Sequence, residues 1–241
     1  MFITIDGGDG CGKTTQQKRL HDWLIQQDRE VVLCRDPGGT ILGNMIRKIV
    51  LHGGNTVDNT FDNTAGNIAG NTASNADKEK RSVQVVGDGL DGVECICDIA
   101  EMLLFMASRA ELVSEVIRPA IELGKDVISD RFLISNIVYQ GYAGGLPIDV
   151  IEMVGQVAVS GLLPDVGIIL DVPYEVGIKR ISNREKDRME EKGEAYHKRV
   201  RNGFLEYAKN NSRYIVINAD QDQDIVETEI REVIQKKLLT S

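Results

Sequence analysis

Between an apolar, β-branched run at residues 2–6 and a helical pattern starting near residue 14, the chain reads Gly7-Gly8-Asp9-Gly10-Cys11-Gly12-Lys13-Thr14. This satisfies the spacing G-x-x-x-x-G-K-[ST] in the setting that gives it meaning, a strand running into a helix. Glycines let the backbone take unusual dihedrals and turn its N–H groups inward around a phosphate. The helix adds the positive end of its dipole. A lysine at the end of such a loop reaches the β- and γ-phosphates, and the hydroxyl after it suits Mg²⁺. A glycine-rich turn arising by chance would not place strand, loop and helix in this order. The segment predicts ATP held over Gly7, Gly8, Asp9, Gly10, Cys11, Gly12, Lys13, Thr14 and Thr15, with Thr14 a ligand of Mg²⁺. It does not name the group that accepts the phosphate.

The rest of the chain supplies a matching scaffold. Further strand-like runs at residues 30–35, 126–130, 166–171 and 214–217 alternate with helical periodicity at 14–27, 99–123, 148–160, 176–184 and 223–239. Strands alternating with helices imply a parallel sheet covered on both faces. The fold class expected is α/β, a five-stranded parallel sheet in three layers. At 241 residues the whole chain fits a single domain.

Composition excludes more than it selects. A formal net charge of −9 argues against a nucleic-acid binder, while leaving room for a local basic pocket. Cys11, Cys34, Cys95 and Cys97 are too few and too oddly spaced for a disulfide framework, and His21, His52 and His197 are scattered, so a zinc site is not expected. No run approaches the roughly 18 apolar residues that mark a membrane span, and residues 2–5 carry no leader pattern. The cytosol is the expected compartment.

One stretch stands outside this pattern. Asparagine recurs at every fourth position from 55 to 75, as NTVD-NTFD-NTAG-NIAG-NTAS-NADK. Asn, Thr, Gly and Asp are poor helix formers and the stretch has little apolar surface to bury, so it reads as a flexible insertion within about 53–98. Residues 81–98 are more apolar and read as a small hairpin.

Several segments bear on the acceptor. Arg35-Asp36-Pro37-Gly38-Gly39-Thr40 forms a rigid bend at the carboxyl end of a strand, where ligands bind in open α/β sheets. In Glu101-Met102-Leu103-Leu104-Phe105-Met106-Ala107-Ser108-Arg109, the four-residue spacing puts Phe105 and Arg109 on one helical face. A ring beside a guanidinium suits a nucleobase, although by spacing alone such a Phe is more often core. Asp130-Arg131 closes another strand and leads into Phe132-Leu133-Ile134-Ser135-Asn136-Ile137-Val138-Tyr139-Gln140-Gly141. The charged run Arg180 to Glu190, taken alone, is an ordinary solvated helix face.

Together these segments resemble the thymidylate kinase family, whose patterns are R-E-P-G-G-T, E-L-L-L-F-x-A-x-R, D-R-Y-x-x-S-S-x-A-Y-Q-G and D-R-x-E. The chain departs at Asp36, Phe132, Asn136 and Val138, and the resemblance covers residues 1–51 and 99–239. It implies a P-loop NTPase fold with a helical lid at about 180–195, and transfer of the γ-phosphate of ATP to dTMP, giving dTDP for dTTP synthesis. By resemblance Phe105 stacks on thymine, Arg109 contacts the base, and Arg47 and Arg131 hold the dTMP phosphate. Ser135, Tyr139 and Gln140 line the base and sugar pocket, with Asp36 and Pro37 beside it. Asp9 contacts the acceptor sugar or orients its phosphate, Asp130 joins Thr14 at the metal, and a lid arginine, Arg184 or Arg188, joins Lys13 and Asp9 in catalysis. A homodimer is typical of the family. Another nucleoside or nucleoside monophosphate kinase, a P-loop switch protein, or a binder that has lost catalysis are the alternatives. The switch reading wants an N-K-x-D motif, which does not occur.

Overall fold

The computed structural model describes residues 1–52, 96–183 and 187–239. The asparagine repeat and nearly all of residues 81–98 lie outside them; Asp98, taken from the sequence as the end of a hairpin, instead begins a helix.

The chain starts with β1 (Phe2–Gly7), whose six residues are all buried, as a central strand covered on both faces requires. It continues through α1 (Lys13–Ile25), β2 (Val31–Arg35), α2 (Ile41–His52) and α3 (Asp98–Leu112). A π-helical turn over Val113–Ile117 carries α3 into α4 (Arg118–Glu122), followed by β3 (Asp126–Asp130). Then come α5 (Leu133–Asn136), a π-helical continuation over Ile137–Ala143, α6 (Ile148–Val159) and β4 (Val166–Asp171). The chain closes with α7 (Tyr174–Arg180), α8 (Glu194–Lys209), β5 (Tyr214–Asn218) and α9 (Gln223–Leu238). All five strands fall within one residue of the segments read from the sequence.

The strands form one parallel sheet in the order β2-β3-β1-β4-β5. Alternation along β1 splits the core. Ile3 and Ile5 pack with Leu20, Trp23 and Leu24 of α1 and Val226, Ile230 and Ile234 of α9. On the opposite face Phe2 packs with Met102 and Met106 of α3, Phe132 and Ile151, and stands edge-on to the Phe132 ring. Tyr139, Ile169, Val200 and Phe204 extend that layer beneath α8. The result is a three-layer α/β sandwich.

Two helical stretches carried no readable period. Every residue from Leu133 to Gly141 is buried, so the 3.6-residue alternation with polar positions is missing. Helix α8 has the opposite problem. Its buried positions are Tyr196, His197, Val200, Gly203 and Phe204, a face with few aliphatic side chains to stand out from a charged sequence.

Because β1 is central, the loop after it emerges mid-sheet, at the carboxyl edge between β3 and β4. That loop rests directly on α7. A Cβ at Gly10, which has φ +72°, would lie 2.1 Å from the Gly177 carbonyl oxygen, and a Cβ at Gly177 would lie 2.4 Å from the Asp9 carbonyl oxygen. Glycine at each position is what lets the two backbones touch. The contact makes a prediction opposite in sign to helix propensity. Alanine in place of a helical glycine ordinarily stabilises by about 1 kcal/mol. Gly177→Ala is expected instead to destabilise by about 1–3 kcal/mol, through overpacking, in urea unfolding.

Candidate active site

Beside the loop–α7 contact opens a cleft of about 870 Å³ that runs along the carboxyl edge of the sheet. Its centre is the glycine-rich loop. Gly7, Gly10 and Gly12 have φ of 138°, 72° and 96°, dihedrals that L side chains rarely adopt, and Gly12 leads into α1. Lys13 at the first position of α1 donates from Nζ to the carbonyl oxygens of Gly7 at 3.2 Å and Gly8 at 2.8 Å. Thr14 and Thr15 are exposed at the cleft wall.

One wing lies under β2, β3 and α3. Arg131, just past the end of β3, has φ 69°. Holding a non-glycine residue in the left-handed region costs on the order of 1–3 kcal/mol and persists where the surroundings determine it. Here they do. Arg131 donates to the Gly7 carbonyl at 3.0 Å, to Ser135 Oγ at 3.3 Å and to Asp9 Oδ1 at 2.7 Å, and its guanidinium lies 4.9 Å from the centre of the Tyr139 ring. Burial alone would lower the Arg131 pKa, but Tyr139, Asp9 and Asp130 raise it well above the ordinary arginine value.

Asp9 gathers the surrounding groups. Besides Arg131, the Tyr139 hydroxyl donates to it at 3.3 Å, and His197 Nδ1 lies 3.8 Å from Oδ2. Burial would raise its pKa; Arg131, Lys13 and His197 outweigh that and hold the carboxyl below the usual 3.8. Nearby, Arg47 of α2 donates to the Pro37 carbonyl at 3.0 Å. Its pKa is lowered by burial and then by Arg35 and Arg131. Arg35 and Arg131 close enough to lower the Arg47 pKa make a cluster of positive charge that favours an anion between them.

Phe105 lines this wing and packs against Ile46 and Val50 of α2. Arg109 lines it too, but is only 1% exposed and spends its donors within the chain, on Asp36, the Met106 sulfur and the Phe132 carbonyl. Asp36 is accordingly turned inward; burial raises its pKa, against the pull of Arg109. The pair braces the bend that carries Pro37. Ser135 donates to buried Asp6 at 2.8 Å, so Asp6 also supports the wall. Asp130 lines the cleft, and its buried Oδ1 has no hydrogen-bond partner among the described residues.

The other wing is lined by Gln16, Arg180, Ala219 and Gln223. Arg180 donates through both terminal nitrogens to the Ala219 carbonyl at 3.1 Å, and Gln16 donates to the Gln223 carbonyl at 2.9 Å, closing α1 against α9.

The residues chosen from the sequence therefore converge on one cleft with few exceptions. Gly7 and Gly8 lie behind its wall, with their carbonyls turned to Lys13. Arg188 is not on the cleft wall; it is tied to Glu101 and to the Val50 carbonyl, while its neighbours Asp187, Met189 and Glu190 do line the cleft. Arg184 lies outside the described residues. Sequence reasoning missed Glu101 as a site residue, and also His197, Asp6, Arg35 and the wing around Arg180 and Ala219. Glu101 stood in a quoted motif without a role; His197 and Asp6 had no local signal, since their partners are distant in sequence.

A phosphate cradle and an arginine cluster facing one cleft, on a parallel sheet with the loop after its central strand, define a P-loop kinase acting on two small phosphorylated molecules. Comparison with known proteins gives the kind. The chain belongs to the thymidylate kinase family: the family model "Thymidylate kinase" matches residues 5–65 and 88–230. It is 37% identical over 238 residues to the thymidylate kinase of Thermosipho melanesiensis, spanning 99% of each chain. To that of a Thermoanaerobacter species it is 37% identical over 238 residues, spanning 98% of each. A crystal structure of thymidylate kinase from Ehrlichia chaffeensis superposes with a TM-score of 0.65 at 28% identity, covering 97% of this chain and 98% of that one.

The electrostatics of Asp9 yield a pH prediction. A carboxyl whose folded-state pKa is depressed contributes stability above its unfolded value, and loses it as pH falls through the folded value. The unfolding free-energy difference between the parent chain and Asp9→Asn is expected to be level from neutral pH down to about 5 and to shrink below about 4. Urea unfolding at a series of pH values checks this; a difference independent of pH down to acid unfolding would remove the Asp9–Arg131 pair from the account.

Proposed function

We propose that this chain transfers the γ-phosphate of ATP to dTMP, giving ADP and dTDP, in the supply of dTTP. The observation that carries the reading is the joint geometry of the cleft, with a Lys13 phosphate cradle at its centre and the Arg47, Arg131 and Arg35 cluster beside Phe105 in one wing. Family membership selects dTMP among the acceptors such a cleft could take.

In this reading ATP lies over Gly7–Thr15, with its base toward Arg180 and Ala219. Lys13 exchanges the carbonyl oxygens of Gly7 and Gly8 for phosphate oxygens, which form stronger, charge-assisted bonds. Arg47 and Arg131 hold the acceptor phosphate, and Asp9 keeps Arg131 aimed. Phe105 supplies the apolar face for thymine, Gln140 and Ser135 lie along the pocket with Tyr139, and Arg109 acts by bracing Asp36 and Pro37. Phosphoryl transfer needs positioning and charge neutralisation more than covalent work. A bound Mg²⁺ would neutralise charge on the transferring phosphates. The exposed Thr14 hydroxyl and the unpartnered Asp130 oxygen fit it, and no cluster of three or more acidic, His or Cys side chains among the described residues could hold it alone. Such a site matches Mg²⁺, which keeps waters and phosphates as ligands.

The domain reading is one domain with a lid at about 180–195, including Arg184 and Arg188, and an insertion within 53–98. The family match breaks between residues 65 and 88, inside that stretch, which supports an insertion. No helix among the described residues is long and apolar enough to cross a membrane, and we place the enzyme in the cytosol with its nucleotides. We also assign a homodimer. Ile41 and Met45 on α2, Ile99 and Leu103 on α3, and Met153 and Val157 on α6 leave large apolar side chains in solvent on three adjoining helices. Large apolar side chains left exposed on neighbouring helices are the kind of surface an interaction covers.

ADP formation with ATP, Mg²⁺ and a panel of dTMP, dUMP, dCMP, CMP, UMP, AMP and GMP tests the reaction. Turnover is expected to be strongest with dTMP, and Lys13→Ala is expected to lose about three orders of magnitude in kcat with unchanged unfolding. A different preferred acceptor, or a fully active Lys13→Ala, would overturn the assignment. For the dimer, Val157→Glu is expected to convert it to a monomer by light scattering; a monomeric parent chain would overturn that part alone.

A further inference from the structure

Glu101 is 1% exposed, in the first turn of α3, and three side chains converge on it. Gln140 Nε2 donates to Oε1 at 2.9 Å, Lys192 Nζ lies 3.3 Å from the same oxygen, and Arg188 donates to Oε2. The Gln140 amide is held at both ends, because its Oε1 accepts from Asn136 Nδ2 at 3.1 Å. An amide rotated by half a turn would set its oxygen against the carboxylate and its NH₂ against another NH₂. Glu101 thus fixes which end of Gln140 is donor and which is acceptor. Gln140 lines the cleft, so what its amide can offer there is fixed with it.

The same carboxylate reaches the lid. Arg188 also donates to the Val50 carbonyl at 3.0 Å, and its backbone N–H donates to the Leu51 carbonyl at 2.9 Å. These carbonyls lie in the last turn of α2, where the helix dipole favours a cation. Met189 and Glu190, which line the cleft, follow directly, with both backbone N–H groups bonded to Asp187 Oδ1 at 2.9 Å.

We propose that Glu101 is a positioning residue for base selectivity, orienting the Gln140 amide toward the acceptor base and tying that orientation to the lid through Arg188 and Lys192. This rests on the kinase reading above. Thymine and cytosine present opposite patterns at the ring edge, N3–H with a carbonyl against bare N3 with an amino group. A Gln140 held one way discriminates between them; a Gln140 free to rotate serves both.

Glu101→Gln tests this, since an amide at 101 can meet either face of Gln140. Its kcat/KM ratio for dTMP over dCMP is expected to fall about tenfold or more, as expected where a fixed hydrogen-bond pattern sets selectivity. The KM for dTMP is expected to rise while the KM for ATP stays within about twofold. In a Gln140→Ala background the same substitution is expected to leave the ratio unchanged, because the residue through which Glu101 acts is gone. A merely structural carboxylate would lower activity with every acceptor alike and would act equally in both backgrounds. If Glu101→Gln strands Arg188 and Lys192 and fails to fold, Glu101→Gln with Arg188→Gln and Lys192→Gln removes both unpaired charges and is read in the same way. For the lid, amide hydrogen exchange is expected to quicken at Arg188 to Glu190 in Glu101→Gln without nucleotide. An unchanged selectivity ratio in a folded variant of an active parent, or unchanged exchange at these amides, overturns the Glu101 assignment. A parent chain without dTMP turnover overturns the kinase reading on which it rests.

Discussion

The ion pair between Arg131 and Asp9 joins the two loops that make the carboxyl edge of this sheet into a site. Asp9 belongs to the loop after β1, Arg131 to the turn after β3, and those strands are hydrogen-bonded neighbours. Parallel pairing brings both strand ends to the same edge, so the two side chains meet without a long excursion by either loop. The geometry has a cost, since Arg131 sits at φ 69°. Its bonds to Gly7, Asp9 and Ser135, with the Tyr139 ring alongside, over-determine the position and offset that strain. From it follow the orientation of Tyr139, the ionised state of Asp9 and the closeness of Arg131 to Arg47.

A second regularity concerns where the cations rest. Lys13 donates to the carbonyls of Gly7 and Gly8 and to the Cys11 sulfur, Arg47 to the Pro37 carbonyl and Arg180 to the Ala219 carbonyl, and no acceptor among these is a carboxylate. Such bonds hold a side chain near its working position yet are weaker than bonds to a charged oxygen. Arg109 and Arg188 differ, because their partners are the carboxylates Asp36 and Glu101. The contrast is one of degree, since Arg131, in the wing assigned to the acceptor phosphate, also pairs with a carboxylate, Asp9. Arg109 thus braces the bend through Asp36 while still lining the cleft.

How much of this could be read from the chain followed from how local each signal was. The glycine loop announced itself because every residue it needs lies within eight positions, and the strands did so because buried parallel strands are short apolar runs. Phe105, Arg131 and Tyr139 were found through motifs, and they reach the cleft. The roles of Glu101 and His197 could not be read this way. Glu101 meets Arg188 across 87 positions, and His197 meets Asp9 through α8, a helix whose weak apolar face hid it. Residues 133–143 failed for the reverse reason, burial so complete that no periodicity survives. Local chemistry was legible; partnerships made by the fold were not.

The contact between Gly10 and Gly177 has a mechanical consequence. Most loops that meet a helix do so through side chains, whose rotamers absorb small displacements. Here backbone meets backbone, so the joint has almost no compliance. Helix α7 ends at Arg180, so a displacement of that helix would be passed to the glycine loop through backbone contact alone. The joint acts as a stiff bearing between α7 and the glycine loop.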